Sequence, residues 1–158
     1  MNRKISALVM DVDGTLTDGK IHISSSGEIF KSFDVKDGYA IHNLLPQISV
    51  LPIIITGRTS NIVEYRAKEL GVQELHQGVI DKDACLKEIV GRYGLAYQEI
   101  ACIGDDLNDL PMMKQCGLCA CPSDAVSDIK LICDYVCQAK GGRGAVREFV
   151  QWLIEQKL

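Results

Sequence analysis

The fold class this sequence predicts is α/β, a Rossmann-like open parallel sheet flanked by helices, and three observations on its 158 residues carry that expectation. Short, continuously apolar runs alternate with helically spaced ones, as strands buried on both faces alternate with crossover helices. Turns bearing carboxylates or hydroxyls follow those runs directly, at Asp11 and Asp13, at Thr56 and at Asp105. Open parallel sheets collect ligands outside the carboxyl ends of their strands, so these turns should converge on one site.

Ile5 to Met10 is the first buried strand, and it delivers Asp11 and Asp13 into a turn that Gly14 allows to be sharp. Alternate residues of an extended segment point to the same side, so both carboxylates can face one pocket. Carboxylates held together repel unless a cation lies between them or one is protonated, so a divalent metal with divided acid and base roles is the functional reading. An acidic surface turn would use the same residue types. A calcium loop is excluded, because Thr15 stands at its third ligand position and Leu16 at its glycine position.

Ile21 and Ile23 alternate with polar residues, Ser25-Ser26-Gly27 supplies turn chemistry, and Ile29, Phe30 and Phe33 continue an extended pattern from Glu28 to Val35. This predicts a hairpin, either a flap over the acidic loop or an ordinary edge. Asp37-Gly38 opens a helix closed by Pro46, with Tyr39, Ile41, Leu44 and Leu45 at helical spacing. Val50 to Ile55 is the second buried strand, despite Pro52, and runs into Thr56-Gly57-Arg58, where a hydroxyl, backbone N–H groups and a helix N-terminus form an anion site. The helix from Ser60 to Leu70 stops at Gly71.

After a short strand at Gln73 to His76, Asp81 is a plausible N-cap for a helix reaching Tyr93-Gly94. Lys82 falls in its first turn, where the dipole favours anions, and is best explained if it meets a phosphate or a carboxylate. Glu99 to Ile103 is a strand ending in the second acidic cluster, Gly104-Asp105-Asp106-Leu107-Asn108-Asp109. A short helix at Leu110 to Lys114, a strand at Leu118 to Cys121, a capped helix at Ser123 to Lys130 and a strand piece at Tyr135-Val136 follow. Gly141-Gly142-Arg143-Gly144 then precedes an amphipathic helix from Ala145 to Gln156; lacking a preceding strand and a following βαβ unit, it is no dinucleotide fingerprint.

The length fits a single domain over 1–158. A hydrophobic fraction of 47% and a net charge of -4 are ordinary for a globular protein and argue against a general nucleic-acid or anionic-membrane surface. Met1 to Lys4 leads into an apolar run too short for a signal peptide, and no run long enough to span a membrane follows, so the expected location is cytoplasmic. The 7 cysteines, an odd number without an export signal, read as free thiols; those around Cys119 lack the paired knuckles of a zinc site.

Four motifs in order, Asp11-Val12-Asp13-Gly14-Thr15, Thr56-Gly57-Arg58, Lys82, and Gly104 to Asp109, resemble those of the haloacid dehalogenase superfamily of phosphotransferases. Asp37-Gly38-Tyr39, the closing Gly141 to Glu148 and the short length resemble its capless tetrameric branch, the 3-deoxy-D-manno-octulosonate 8-phosphate phosphatases and their relatives for nine-carbon keto-sugar acids. The resemblance implies a Mg2+-dependent phosphomonoesterase of lipopolysaccharide sugar biosynthesis, with the haloacid dehalogenase fold, a hairpin flap and no cap domain. It implies Asp11 as nucleophile, Asp13 as acid and base, and metal ligation by Asp11, the Asp13 carbonyl and Asp105. Thr56, Gly57 and Lys82 would hold the phosphoryl group, Arg58, Asp37 and Arg143 the sugar acid, and Asp106 and Asp109 would orient metal waters or Lys82. The implied homotetramer would use Gly141 to Gly144 as a flexible arm carrying Arg143 to a neighbour's site. A phosphatase for nine-carbon substrates and a catalytically silent oligomerisation domain are the competing readings.

Overall fold

A computed structural model describes residues 4–156; Met1 to Arg3 of the charged start lie outside the described residues. Six parallel strands, β1 (Ala7–Met10), β4 (Leu51–Ile55), β5 (Glu74–His76), β6 (Ile100–Ile103), β7 (Leu118–Cys121) and β8 (Tyr135–Val136), form one sheet in the order β5-β4-β1-β6-β7-β8. The strand residues alternate between two cores. Leu8, Met10, Ile54, Ala101 and Ile103 face α3 (Asn61–Leu70) and α7 (Ala145–Glu155), packing with Val63, Phe149 and Leu153. Ala7, Val9, Ile53, Ile55, Cys102 and Cys119 face the opposite way, toward Leu86 and Ile89 of α4 (Lys82–Tyr93), Met112 and Met113 of α5 (Leu110–Met113) and Ile129 of α6 (Ser127–Lys130). Burial on both faces is why these runs read as continuously apolar.

Pro52 is tolerated inside β4 because of where its missing N–H would point. Leu51 N–H donates toward β1, to Ser6 O at 2.9 Å, and Thr56 N–H toward β5, to His76 O at 2.9 Å, so position 52 faces the β5 side. The β5 register begins only at Ile53, and no ladder bond is lost.

The chain leaves β1 to build β4 and β5 on one side, then returns to place β6 on the other. The crevice beyond the end of β1 is therefore the topological switch point. Four turns empty into it: Asp11 after β1, Thr56 after β4, Lys82 at the start of α4 and Asp105 after β6.

The predicted hairpin is present as β2 (His22–Ser24) and β3 (Gly27–Phe30), a separate antiparallel pair shorter than its apolar pattern. The following helix differs from expectation at both ends. It begins at Val35, because Asp34 rather than Asp37 caps it, accepting from Lys36 N at 2.7 Å and Asp37 N at 3.4 Å. From α1 (Val35–Tyr39) it passes through one wide turn, Ala40–Leu44, in which Leu45 N–H reaches back to Ala40 O, into α2 (Leu45–Gln47). Pro46 thus sits within the last turn instead of closing the helix, the widened turn accommodating its ring and missing donor. The helix expected over Ser123 to Lys130 is confined to Ser127–Lys130. All the cysteines are free.

Candidate active site

The loop after β1 is held by Thr17, whose hydroxyl donates to Val12 O at 3.4 Å and accepts from the N–H groups of Gly14 at 3.3 Å and Gly19 at 3.2 Å. Gly14 has φ +99°, and a Cβ there would stand 2.0 Å from Asp105 Oδ2. Glycine is therefore required twice, for the backbone conformation and for the approach of the second acidic turn. That turn has its own constraint, since a Cβ on Gly104 would meet Asp109 Oδ2 at 2.6 Å.

The crevice floor is a buried cluster. Lys82 Nζ lies 2.6 Å from Asp11 Oδ1 and 2.6 Å from Asp109 Oδ1, with its side chain 1% exposed. Asp109 Oδ2 accepts from the N–H groups of Asp105 at 3.0 Å and Asp106 at 3.4 Å. Thr15 Oγ1 donates to Asp105 Oδ1 at 3.2 Å. Carboxylate oxygens of Asp11, Asp105 and Asp109 lie within 4.8 Å of one another, a geometry able to hold a cation.

The charges do not balance, because three carboxylates face one ammonium. Burial, then the Asp109 charge, raises the Asp11 carboxyl to about 6 against the opposing pull of Lys82. Burial and the Asp11 charge raise Asp105 to about 8. Burial works to lower the Lys82 ammonium, yet the two carboxylates around it outweigh burial and raise it. A divalent cation is the group this donor set lacks. Both oxygens of Asp109 are already engaged, so Asp11 and Asp105 are the side chains best free to hold a metal, and Asp109 anchors Lys82 and the turn.

Asp13 does not join the buried cluster. Its Oδ1 accepts from Lys31 Nζ at 2.6 Å, and its Oδ2 lies 4.0 Å from Arg58 Nε, whose side chain is half exposed. Lys31 also meets Glu28 Oε1 at 3.1 Å, and the other Glu28 oxygen accepts from Ser60 Oγ, the N-cap of α3. The hairpin is thereby tied across the acidic loop, as a flap would be. Neither Lys31 nor Glu28 was singled out in the sequence, where both look like solvated positions of an extended run.

Thr56 is buried at the strand end, while Gly57 and Arg58 are exposed beside it. Asp106 Oδ1 accepts from Leu107 N at 2.7 Å. Asp37, expected at the sugar acid, is buried elsewhere: its Oδ1 accepts from Arg147 N at 2.8 Å, with the backbone of Gly144 and Val146 beside it. It supplies the N-terminal cap that Gly144 cannot, from 110 positions away. The glycine run is no free arm either. Gly142 N–H donates to Thr15 O at 3.0 Å and Gly141 N–H to Asp124 Oδ1 at 3.0 Å, and a Cβ on Gly141 would stand 1.9 Å from Gly14 O. Arg143 is exposed and lines a surface depression with Lys36, Arg147 and Trp152.

Known proteins share this architecture. A family model of haloacid dehalogenase-like hydrolases matches residues 46–149. The 3-deoxy-D-manno-octulosonate 8-phosphate phosphatase KdsC of Escherichia coli (strain K12) is 39% identical over 150 residues, covering 95% of this chain and 79% of that protein. A crystal structure of the Moraxella catarrhalis 3-deoxy-D-manno-octulosonate 8-phosphate phosphatase, in complex with magnesium ion, phosphate ion and a KDO molecule, superposes with a TM-score of 0.93 at 36% identity, covering 98% of this chain and 88% of that one. The cobalt-bound phosphatase of Haemophilus influenzae gives a TM-score of 0.94 at 33% identity, covering 98% of this chain and 90% of that one.

Proposed function

The chain belongs to the haloacid dehalogenase-like hydrolases, and from that premise we propose that it is a Mg2+-dependent phosphatase acting on 3-deoxy-D-manno-octulosonate 8-phosphate. The observation that carries this reading is the buried Asp11, Lys82, Asp105 and Asp109 cluster, short of two positive charges, at the switch point of a sheet shared with relatives of that activity. Mg2+ would be held by Asp11, the Asp13 backbone carbonyl and Asp105, and when bound it supplies positive charge against the phosphoryl oxygens.

Asp11 attacks phosphorus, forming an aspartyl-phosphate as the bond to the sugar oxygen breaks. Asp13 gives its proton to that departing oxygen, then takes one from the water that attacks the aspartyl-phosphate, releasing inorganic phosphate and restoring Asp11. Lys82, Thr56 and the Gly57 N–H hold the phosphoryl oxygens, and Asp109 keeps Lys82 oriented. Arg58, half exposed at the rim, offers a fork for the sugar-acid carboxylate. Asp37 acts at one remove, by seating the α7 end on the elements beside the site.

The working unit in this reading is one cytoplasmic domain over 1–158, assembled as a homotetramer. No helix among the described residues is long and apolar enough to cross a membrane. The hairpin exposes Ile23 (63%), Ile29 (56%) and Phe30 (47%), an apolar outer face that subunit contact would cover. Arg143, exposed at the surface, would reach a neighbour's substrate. Mixing Asp11→Asn with Arg143→Ala subunits should then give more activity than the separate samples combined, whereas no gain in mixtures shown to exchange subunits removes the shared site.

The substrate assignment is tested by a kinetic screen with Mg2+ or EDTA, comparing 3-deoxy-D-manno-octulosonate 8-phosphate, nine-carbon keto-sugar acid 9-phosphates and an aryl phosphate. The eight-carbon substrate should show the highest kcat/KM, abolished by EDTA. Preference for a nine-carbon substrate would overturn the substrate, and no Mg2+-dependent hydrolysis at all would leave a silent domain.

A further inference from the structure

The hairpin is built inside out. In a hairpin that only packs on a core, apolar side chains face inward and charged ones outward. Here Ile29 and Phe30 are about half exposed, while the adjacent Lys31 side chain is 2% exposed. A buried ammonium is costly unless paired, and burial pulls its proton affinity down; Asp13 and Glu28 reverse that effect. The pairs sum to zero when Arg58 is included, two carboxylates against two cations, so nothing in this group calls for a metal.

We infer that Lys31 is a positioning residue for Asp13, pinning one carboxylate oxygen so that the other alone faces the reacting oxygens. The two oxygens of Asp13 have different surroundings among the described residues: Oδ1 is held at 2.6 Å by a buried lysine, whereas Oδ2 lies 4.0 Å from the half-exposed Arg58. Lys31 in turn is fixed by Glu28, and Glu28 by Ser60 at the start of α3. A carboxylate at a turn, unpinned, rotates about its own side-chain bonds, and displacement of a proton-transfer group by about 1 Å can cost on the order of 10²-fold in rate. The hairpin thus contributes to chemistry through one oxygen of Asp13, without touching substrate.

This inference rests on the role proposed above for Asp13, and leaving-group dependence separates the two. A sugar alkoxide needs a proton as it departs, whereas a dinitrophenolate does not. In rapid-quench measurements of the first turnover, Lys31→Met should slow alcohol release from the sugar phosphate by about 10²-fold. It should slow dinitrophenolate release from dinitrophenyl phosphate by less than about threefold, with KM for the sugar phosphate little changed. Lys31→Arg, whose guanidinium can hold the same oxygen, should recover most of the loss. Adding Lys31→Met to Asp13→Asn should cost nothing further. Ser60→Ala, which loosens Glu28 and through it the lysine, should show the same dependence on the leaving group at a smaller size.

Equal losses on both substrates for Lys31→Met, or losses that add to those of Asp13→Asn, would overturn the positioning role while leaving Asp13 as the acid. If Asp13→Asn itself fails to distinguish the two leaving groups, the role of Asp13 falls and this inference with it. Should Lys31→Met not fold, the Lys31→Arg variant carries the test: first-turnover alcohol release within about tenfold of the parent supports the pin. A loss matching Asp13→Asn would contradict it.

Discussion

Two buried lysines, each between two carboxylates, hold the two aspartates that follow β1, and their surroundings differ in one respect. Lys82 lies between Asp11 and Asp109 with Asp105 alongside, leaving an excess of two negative charges in a site walled by the sheet. Lys31 lies between Asp13 and Glu28 with Arg58 nearby, and its charges cancel. The first group is unfinished without a cation and the second is complete. Only Val12 separates Asp11 from Asp13 in sequence, yet one belongs to the metal side and the other to the hairpin side. Separate environments for neighbouring carboxylates are what a divided nucleophile and acid require.

The contrast is broken most severely at Asp11. Asp11→Asn removes both the proposed nucleophile and one charge from the deficient cluster, so turnover should fall by roughly 10⁴-fold or more with the circular dichroism spectrum unchanged. Lys82→Met comes next. It leaves Asp11 and Asp109 facing each other without their cation, and chemical denaturation without metal should show a loss of about 3 to 5 kcal/mol, since breaking a buried pair strands its partners. The same substitution at Lys31 should cost less stability, because Arg58 and solvent remain near Asp13.

Asp37 sharpens the comparison as a buried carboxylate whose partners are backbone N–H groups. Burial raises it to about 6 in the folded protein, against the backbone N–H of Arg147 that favours its charge. An acid that binds its proton more tightly when folded contributes stability below its unfolded value, near 4, and loses that contribution as pH rises through 6. The difference amounts to roughly 3 kcal/mol, at 1.36 kcal/mol for each pH unit. Asp37→Asn should flatten the pH dependence of Tm between about 4 and 6 by that amount. Cation binding gives the smallest effect. Asp11 and Asp105, raised to about 6 and 8 without metal, must surrender protons to a cation. Mg2+ affinity by calorimetry should therefore strengthen as pH rises from 6 to 8, by up to roughly tenfold per unit where a single proton is displaced, with proton release detectable through buffers of different ionisation enthalpy.

The sheet was legible because its strands are buried on both faces, so each announced itself as an apolar run ending in a chemically distinctive turn. Lys82 was legible for a local reason, a cation in the first turn of a helix where the dipole disfavours it. Lys31 carried no such signal. Its neighbours Ile29 and Phe30 made the hairpin read as apolar-inward, and only the tertiary placement of the hairpin over Asp13 reverses that polarity. Asp37 reads in the sequence as a substrate residue, whereas the structure shows its carboxylate at the α7 N-terminus, a partner distant in sequence; nothing local distinguishes a cap for a remote helix from a substrate contact. The glycine run suggested a flexible arm for the same reason. Glycines that yield to a neighbouring backbone, as Gly141 does to Gly14, are indistinguishable in sequence from glycines that confer mobility.

The division of labour between Asp11 and Asp13 is tested most directly by trapping the phosphorylated enzyme. Protein quenched in acid during turnover of a phosphomonoester and treated with borohydride should convert any aspartyl-phosphate to homoserine, which peptide mass spectrometry locates to a residue. Homoserine should be found at position 11, should accumulate further in the Asp13→Asn variant given an aryl phosphate, and should be absent from Asp11→Asn. Homoserine at position 13 or 105, or its absence from an enzyme that is turning over, would contradict the account.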